Sequence, residues 1–363
     1  MPIKNWRRTH QNGLPELVFL LPFYERITIR APYRFGFGGG GQMGGSANKD
    51  WNRLDSALAI WGGVACNERG QMMSEQELEA YAAAFRRDGF VMMENALTAA
   101  QLVALNNQLD EWVDESRNHT GNFGEIMDGR PRFDVEPSTH SADTPALRRV
   151  TSPMEVSDAY LAATRDNAAL DLTAKIIGPN IKLLATKINL KLPGSGTAVK
   201  YHQDFPFEPH SNDDVMTVLY FLDDVTLENG PLEAVPGSHK GEIYSLWHDG
   251  VFTGAVDPAL EDGFRENAVK CTGKAGSACL MHSRLMHASL PNFTDSPRCL
   301  FIVTYVAEDA VALAPNPLPT PFDGEIVRGE HTGRVRSTPF AMELPEYPKE
   351  ASFFGQQAKT QPM

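Results

Sequence analysis

The chain has 363 residues, of which 42% are hydrophobic and 22% are charged, as is ordinary for a globular protein with a sizeable core. Its formal net charge of -13 repels phosphate backbones and anionic lipid surfaces, which argues against nucleic acids and membranes as partners and leaves a small molecule as the expected one. The global charge does not limit the charge of that molecule, because a pocket can oppose it.

Residues 1–72 contain the glycine-rich run Phe35–Gly41 and show no sustained helical or strand period. Glycine at this density raises the entropy cost of ordering the chain, so we expect a flexible N-terminal extension. A phosphate-binding loop is the alternative, but no Lys-Ser or Lys-Thr pair follows the glycines as such a loop requires.

Two capping boxes predict where the first helices begin. Ser74–Glu77 precedes apolar residues at helical spacing that stop at Gly89, and Thr98–Gln101 opens a second apolar stripe of the same period. Phe90–Met93 between them reads as a short strand. A further helix is predicted from about Asn167 to Ile177, where Gly-Pro follows.

Residues 117–157 are polar, rich in proline and aspartate, and only weakly periodic, which predicts a long loop. Arg148 and Arg149 in this segment could meet an acidic substrate, but arginines are usually exposed and we expect both at the surface.

After residue 178 the pattern changes to strands separated by Pro and Gly turns. The predicted strands are Ile181–Lys191, Val215–Leu222, Ala278–His282 and Cys299–Val306. Helices followed by strands indicate a mostly β fold with flanking helices, in which a helical layer packs on a β-sandwich or jelly roll. We expect one domain over residues 73–345 and a C-terminal tail over residues 346–363.

The four cysteines form no CxxC pair, so we expect free thiols rather than a zinc ribbon or a disulfide framework. No secretory signal is evident near the start of the sequence. Both observations favour the cytoplasm. The sequence does not indicate an oligomeric state.

The triplet His202-Gln203-Asp204 carries the sharpest chemical signal. Residues i and i+2 of an extended segment project from the same face, so His202 and Asp204 can converge on one ion. With His287 as a third ligand, two histidines and one carboxylate leave coordination positions open, as in non-haem Fe(II) oxygenases. The same donors also bind zinc, so a zinc-dependent hydrolase stays an alternative, as does a binding module without turnover.

Residues after His287 point to the co-substrate. Arg298 follows eleven residues later, and its planar guanidinium suits the far carboxylate of 2-oxoglutarate better than a lysine would. Ser289 shares the face of His287 and could donate to the same acid. His282 is the rival third ligand, but it lacks the serine and arginine offsets and would lie on the opposite face of a continuous strand.

Three motifs in order resemble the phytanoyl-CoA dioxygenase family, which includes the ectoine hydroxylases. They are His202–Asp204, then Glu228–Leu232 (ENGPL) with Pro236–His239 (PGSH), and finally His287 to Arg298 in the pattern H-x-S-x-x-N-x-T-x-x-x-R. With the helix and Asp-Gly-Phe turn near its start, the resemblance covers residues 74–310.

The resemblance implies a double-stranded β-helix that binds Fe(II) through His202, Asp204 and His287. It also implies 2-oxoglutarate at Ser289 and Arg298, with Asn189 contacting the keto acid, and dioxygen as the second co-substrate. The expected reaction is hydroxylation of an unactivated C–H bond with release of succinate and carbon dioxide. The retained aspartate argues against halogenation. The substrate stays open, and we expect residues 117–157 and 240–270 to select it.

Overall fold

The computed structural model describes residues 73–193, 197–349 and 357, all of which belong to one compact unit. The predicted flexible extension over residues 1–72 and most of the predicted tail lie outside the described residues. Gln357, in that tail, is 3% exposed, and its amide donates to the carbonyl of Gly254.

The described helices are α1 (Glu75–Asp88), α2 (Ala99–Ser116), α3 (Asp158–Arg165), α4 (Ala168–Ile177) and α5 (Glu261–Asn267). Both predicted capping boxes form, because Ser74 and Thr98 each exchange hydrogen bonds with the residue three positions on. Asn167 caps α4. Among these described helices, none is long and apolar enough to cross a membrane.

The described strands are β1 (Phe90–Met93), β2 (Phe123–Glu125), β3 (Pro131–Val135), β4 (Leu147–Thr151), β5 (Ile181–Lys191), β6 (Val199–His202), β7 (Val215–Phe221), β8 (Leu232–Ala234), β9 (Trp247–His248), β10 (Val251–Phe252), β11 (Val269–Cys271), β12 (Ala278–His282), β13 (His287–Ser289), β14 (Arg298–Ala307) and β15 (Ile326–Arg328). The predictions for β1, β5, β7, β12 and β14 are confirmed to within a residue at each end.

Two antiparallel sheets form the body of the described fold. The larger has the order β1-β12-β7-β14-β5-β4-β3-β2, with β15 also pairing β5, and the smaller has the order β11-β8-β13-β6. A mostly β fold with flanking helices and a jelly-roll core is therefore confirmed.

The long strand β14 shows how the larger sheet divides the interior. Phe301 and Tyr305 point to one face and join the core cluster that contains helix residues such as Trp112. Leu300 and Ile302 alternate with them and line a pocket on the other face. That pocket also contains residues of β6 and β13, so it lies between the two sheets.

The prediction of a loop over residues 117–157 is wrong, because this segment contains β2, β3 and β4. The alternation of apolar and polar residues that predicts a strand is obscured in this segment, because several of its charged side chains are buried in ion pairs. Arg132 donates to Glu155 at 2.6 Å, and Arg148 donates to Asp134 at 2.7 Å. Such pairs place charge at positions where periodicity expects apolar side chains.

The three cysteines within the described residues are free and buried, as predicted for thiols without a disulfide framework. They are Cys271, Cys279 and Cys299.

Candidate active site

The three predicted metal ligands lie together, two of them on neighbouring strands of the smaller sheet and the third just after one of these strands. His202 ends β6 and His287 begins β13, and the antiparallel register pairs them directly. Asp204 follows two residues after β6, with its Oδ1 3.5 Å from Nε2 of His202 and 3.8 Å from Nε2 of His287. One ligand atom from each residue lies within 4.8 Å of the others, so a single ion could contact all three.

Backbone carbonyls orient both imidazole rings. Nδ1 of His202 lies 2.9 Å from the carbonyl oxygen of Lys200, and Nδ1 of His287 lies 2.9 Å from that of Leu285. Since only a protonated nitrogen can donate to a carbonyl, each contact favours the tautomer with an unprotonated Nε2. Burial and the neighbouring His202 lower the pKa of His287 to about 4. Both Nε2 atoms are thus arranged to act as ligands.

The carboxyl of Asp204 is held by a threonine from the larger sheet. Thr217 on β7 donates its hydroxyl to Oδ2 at 2.7 Å. Burial alone would raise the pKa of Asp204, but the two imidazoles and the ammonium of Lys187 outweigh it and hold that pKa well below its usual range. The carboxylate is therefore ionised, with Oδ1 on the side of the imidazoles.

Polar side chains fix the backbone on both sides of the ligands. Gln203, between the two ligands of the triplet, is fully buried, donates to two backbone carbonyls and accepts from the amide of Tyr244. The amide of Met286, just before His287, donates to Oγ of Ser238 at 2.8 Å. This contact gives the Pro-Gly-Ser-His motif a role in positioning the third ligand.

A second cluster of predicted residues lies in the same pocket. Arg298, at the start of β14, pairs with Lys191, at the end of β5. The Lys191 ammonium donates to Oγ of Ser289 at 2.8 Å, and Nε of Arg298 donates to the carbonyl of Gly230 at 2.9 Å. Two basic side chains and a hydroxyl therefore converge, as the recognition of a carboxylate requires, and burial and Arg298 lower the pKa of Lys191 as long as no carboxylate is bound.

The glycine of the Glu-Asn-Gly-Pro-Leu motif is needed where the chain passes Arg298. Gly230 has φ +83°, and a Cβ there would lie 2.5 Å from the carbonyl oxygen of Leu290. Only glycine accepts both conditions without strain. The motif thus places a carbonyl that orients the arginine.

Asn189 lies on β5 two residues before Lys191 and lines the same pocket. Its Oδ1 is buried and has no hydrogen-bond partner among the described residues. Buried polar atoms are normally satisfied, so this oxygen marks a position where a bound molecule would complete the hydrogen bonding.

Sequence reasoning missed several charged residues of the pocket. They are Arg130, Lys187, Lys191 and Glu208. A signal existed for β5, because Lys187, Asn189 and Lys191 alternate with apolar residues and so share one face. Arg149 was expected at the surface, and this is wrong: it is 4% exposed and lines the pocket.

His282 does not join the ligand group. It ends β12, whereas His287 begins β13, so the expected continuous strand between them is wrong. Its ring lies 5.3 Å from that of His239, and its Nδ1 accepts from the amide of Arg284. It is therefore part of the packing around α1, which includes Phe85 at 6.2 Å.

Two phenylalanines follow the His202-Gln203-Asp204 triplet closely, and one of them forms an apolar wall beside the metal ligands. Phe207 lines the pocket, with its ring 5.9 Å from that of His202. Phe205 is fully buried and packs instead against Phe340, at 5.2 Å.

Comparison with protein families gives a match to the model described as phytanoyl-CoA dioxygenase (PhyH) over residues 85–299. The matched range includes all three candidate ligands and Arg298.

Similar proteins include one from Stutzerimonas stutzeri named "Probable alpha-ketoglutarate-dependent hypophosphite dioxygenase", 38% identical over 46% of this chain and 59% of that protein. The L-proline trans-4-hydroxylase of Streptomyces griseoviridis is 25% identical over 61% of this chain and 83% of its own length. The ectoine dioxygenase of Nocardia farcinica is 26% identical over 69% of this chain and 85% of its own length.

Solved structures share the fold. EctD from S. alaskensis with bound Fe has a TM-score of 0.52 and 23% identity over 74% of this chain and 88% of that one. The alpha-ketoglutarate-dependent epimerase SnoN from nogalamycin biosynthesis has a TM-score of 0.50 and 19% identity over 76% of this chain and 98% of its own chain.

Proposed function

The chain belongs to the phytanoyl-CoA dioxygenase family and is an Fe(II)- and 2-oxoglutarate-dependent dioxygenase, and on this premise we propose which residues carry the reaction. His202, Asp204 and His287 bind the iron. The observation that carries this proposal is the convergence of two Nε2 atoms and one carboxylate oxygen within 4.8 Å in a buried pocket.

The donor set fits ferrous iron. Two neutral imidazoles and one carboxylate form a facial triad that leaves positions open for a keto acid and dioxygen. Thr217 and the carbonyls behind each imidazole are the outer partners that fix such ligands. When bound, iron supplies the oxidising chemistry that couples decarboxylation of 2-oxoglutarate to substrate hydroxylation, with succinate and carbon dioxide as by-products.

The far carboxylate of 2-oxoglutarate binds to Arg298 and Ser289, joined by Lys191. Their guanidinium, hydroxyl and ammonium lie in one pocket with the ligands. Charge-assisted hydrogen bonds from such groups fix one end of the acid. Asn189, midway along the same face of β5, contacts the keto-acid end through its amide.

The substrate is a small molecule, and the bond that is oxidised is the finer part of the proposal. We propose a C–H bond, as in the hydroxylation that the L-proline relative is named for. Hypophosphite, named for the Stutzerimonas relative, carries hydrogen on phosphorus instead, so a P–H bond is the second candidate.

We also propose that the protein works in the cytoplasm, and with neither nucleic acid nor membrane as partner. The net charge of -13 and the free, buried Cys271, Cys279 and Cys299 support this.

Succinate release tests the assignment. Purified protein is supplied with 2-oxoglutarate and Fe(II) or Zn(II), in air or under strict anaerobiosis, with candidate substrates. We expect turnover only with iron and oxygen, and loss of it in His202→Ala. His282→Ala is the matched control, because it removes a half-buried imidazole outside the pocket. Consumption of a substrate with zinc and without oxygen, with no succinate formed, would indicate the hydrolase. Equal succinate release by wild type and His202→Ala would refute the iron site.

A further inference from the structure

Two basic side chains of the pocket are not among the residues assigned above to iron or to the far carboxylate of 2-oxoglutarate. Arg149 is 4% exposed, and its Nε is buried without a hydrogen-bond partner among the described residues. Lys187 forms no hydrogen bond or ion pair within the described part of the chain, and burial lowers its pKa while the charges of Asp204 and Glu208 oppose that shift. Both side chains line the pocket that contains the metal ligands.

The strand register places these two basic side chains at diagonal positions of neighbouring strands. Arg149 on β4 pairs with Asn189, and Thr151, two residues later, pairs with Lys187. Paired residues project from the same face of a sheet, so both cations stand on the face that lines the pocket.

They also stand apart from the site for the far carboxylate. Lys187 and Lys191 are four residues apart on one face of β5, which is about 13 Å along a strand. Lys187 instead interacts electrostatically with Asp204, whose negative charge favours the protonated form of the lysine. A molecule bound between Lys187 and Arg149 would therefore lie beside the metal ligands, where the substrate must be.

The charges of Asp204 and Glu208 act on Lys187, but none of the nearby carboxyls forms an ion pair with either basic side chain in the described part of the chain. Asp134 favours the charged form of Arg149, but both its oxygens accept from Arg148, at 2.7 and 3.3 Å. Asp204 serves the metal. Burial and the nearby Asp204 raise the pKa of Glu208 to about 8, so this carboxyl is largely neutral at pH 7.

A buried charge without a partner is costly, and a guanidinium is suited to gripping an oxyanion through two parallel hydrogen bonds. We propose that Arg149 and Lys187 bind the acid group of the substrate, which is therefore a small oxyanion, either a carboxylate or a phosphorus oxyacid. The inference rests on the proposed function, in which Arg298 and Lys191 are occupied by 2-oxoglutarate.

Anaerobic calorimetry of the protein with Fe(II) and 2-oxoglutarate tests this by binding rather than turnover. The probes are hypophosphite, methylphosphonate and L-proline, with trimethylphosphine oxide and L-prolinamide as counterparts that lack the acid. We expect at least one acid to bind more tightly than its counterpart, and the tighter acid identifies carboxylate or phosphorus chemistry. Absence of acid-selective binding throughout the panel would overturn the proposal.

Charge-free variants locate the site. Arg149→Met and Lys187→Met should each weaken binding of the selected acid by about ten- to hundredfold, with partial rescue in Arg149→Lys. Lys182→Met is the matched control, because Lys182 lies on the same strand but donates to the carbonyls of Glu308 and Ala310 outside the pocket. Unchanged acid binding in both methionine variants would overturn the proposal.

Binding of 2-oxoglutarate separates the two proposals. It should survive in Arg149→Met and be lost in Arg298→Met. Loss in Arg149→Met would assign this arginine to the co-substrate, overturning the inference while leaving the proposed function intact. Retention in Arg298→Met would refute the proposed co-substrate site itself, and with it the inference.

Thermal unfolding excludes a purely structural role for Arg149. Because the guanidinium is buried without a full partner, Arg149→Met should unfold at the same temperature as wild type or higher. A large fall in the unfolding temperature would show that the arginine holds the fold together, and would overturn the inference.

Discussion

At the scale of single residues, the ligands are held by partners that fix both charge and direction. His202 and His287 are oriented by carbonyls two residues earlier in the chain, and Asp204 is held by a hydroxyl from the opposite sheet. These contacts need no metal, so the site is largely organised in the protein itself. Such outer partners contribute to affinity as well as to geometry.

Thr217→Val tests this at one atom pair. The substitution keeps the shape of the side chain but removes the donor to Oδ2 of Asp204, so we expect Fe(II) affinity to fall about 10- to 100-fold. Anaerobic Fe(II) titration measures it. Thr173→Val is the control: it removes a buried hydroxyl that donates to the carbonyl oxygen of Ala169 on α4, and it should leave the Fe(II) affinity unchanged. Equal affinities in wild type and Thr217→Val would show that the carboxylate does not depend on the threonine.

Glu208 gives the metal-free protein a pH-dependent stability. Burial and Asp204 raise its pKa from 4.5 to about 8, so the folded state holds this proton more tightly than the unfolded state. The contribution of Glu208 to stability is therefore fully present below about pH 4.5 and is lost as the pH rises to about 8. Denaturant unfolding should show this decline relative to Glu208→Gln. Parallel pH profiles for the two proteins would contradict it.

At the scale of elements, a helix or strand could be predicted from the sequence where a few neighbouring residues contained the whole pattern that defines it. The capping boxes at Ser74 and Thr98 and the long apolar strands β5, β7 and β14 could be predicted. The smaller sheet could not, since strands of three or four residues such as β8 and β13 are too short to show a period. Strands β3 and β4 were missed because they carry charged side chains that are buried, most of them in ion pairs.

The glycine that ends α1 could be predicted from the sequence, and in the fold it also packs closely against a residue far away in the chain. Gly89 has φ +85°, and a Cβ there would lie 2.4 Å from Nδ1 of His239. We expect Gly89→Ala to lower the free energy of unfolding by roughly 2 to 5 kcal/mol, from backbone strain and overlap together. Gly121→Ala is the control, because nothing lies within 4 Å of its Cβ position. Denaturant unfolding that shows similar costs for both would contradict this explanation.

At the scale of the whole molecule, the pocket opposes the global charge. The chain carries -13, yet five cationic side chains line the pocket: Arg130, Arg149, Lys187, Lys191 and Arg298. The motifs predicted Arg298 because it belongs to a recognisable spacing. The other four basic residues come together only through the pairing of strands, and the register of that pairing cannot be predicted from a single sequence.

The C-terminal segment, residues 336–349, contributes a wall of this pocket. Pro348 lines it, and the hydroxyl of Tyr347 donates to Asp128 at 2.8 Å. The guanidinium of Arg130 lies 5.4 Å from the centroid of the same tyrosine ring. The segment thus bridges to the β2–β3 turn, which carries Asp128 and Arg130.

Tyr347→Ala should loosen this wall without unfolding the protein, because Tyr347 is 41% exposed. We expect a several-fold rise in succinate formed without hydroxylated product, measured as the ratio of succinate to product. Leu344→Ala, which truncates a side chain that is 57% exposed in the same segment, should leave the ratio unchanged. An unchanged ratio in Tyr347→Ala would show that the segment does not enclose the reaction.

The central claim is that His202, Asp204 and His287 form one iron site, and anaerobic calorimetric titration with Fe(II) tests it most directly. We expect wild type and His282→Ala each to bind a single Fe(II) with similar affinity, whereas His287→Ala should lose this binding. Equal Fe(II) binding by His287→Ala and wild type would show that His287 is not an iron ligand.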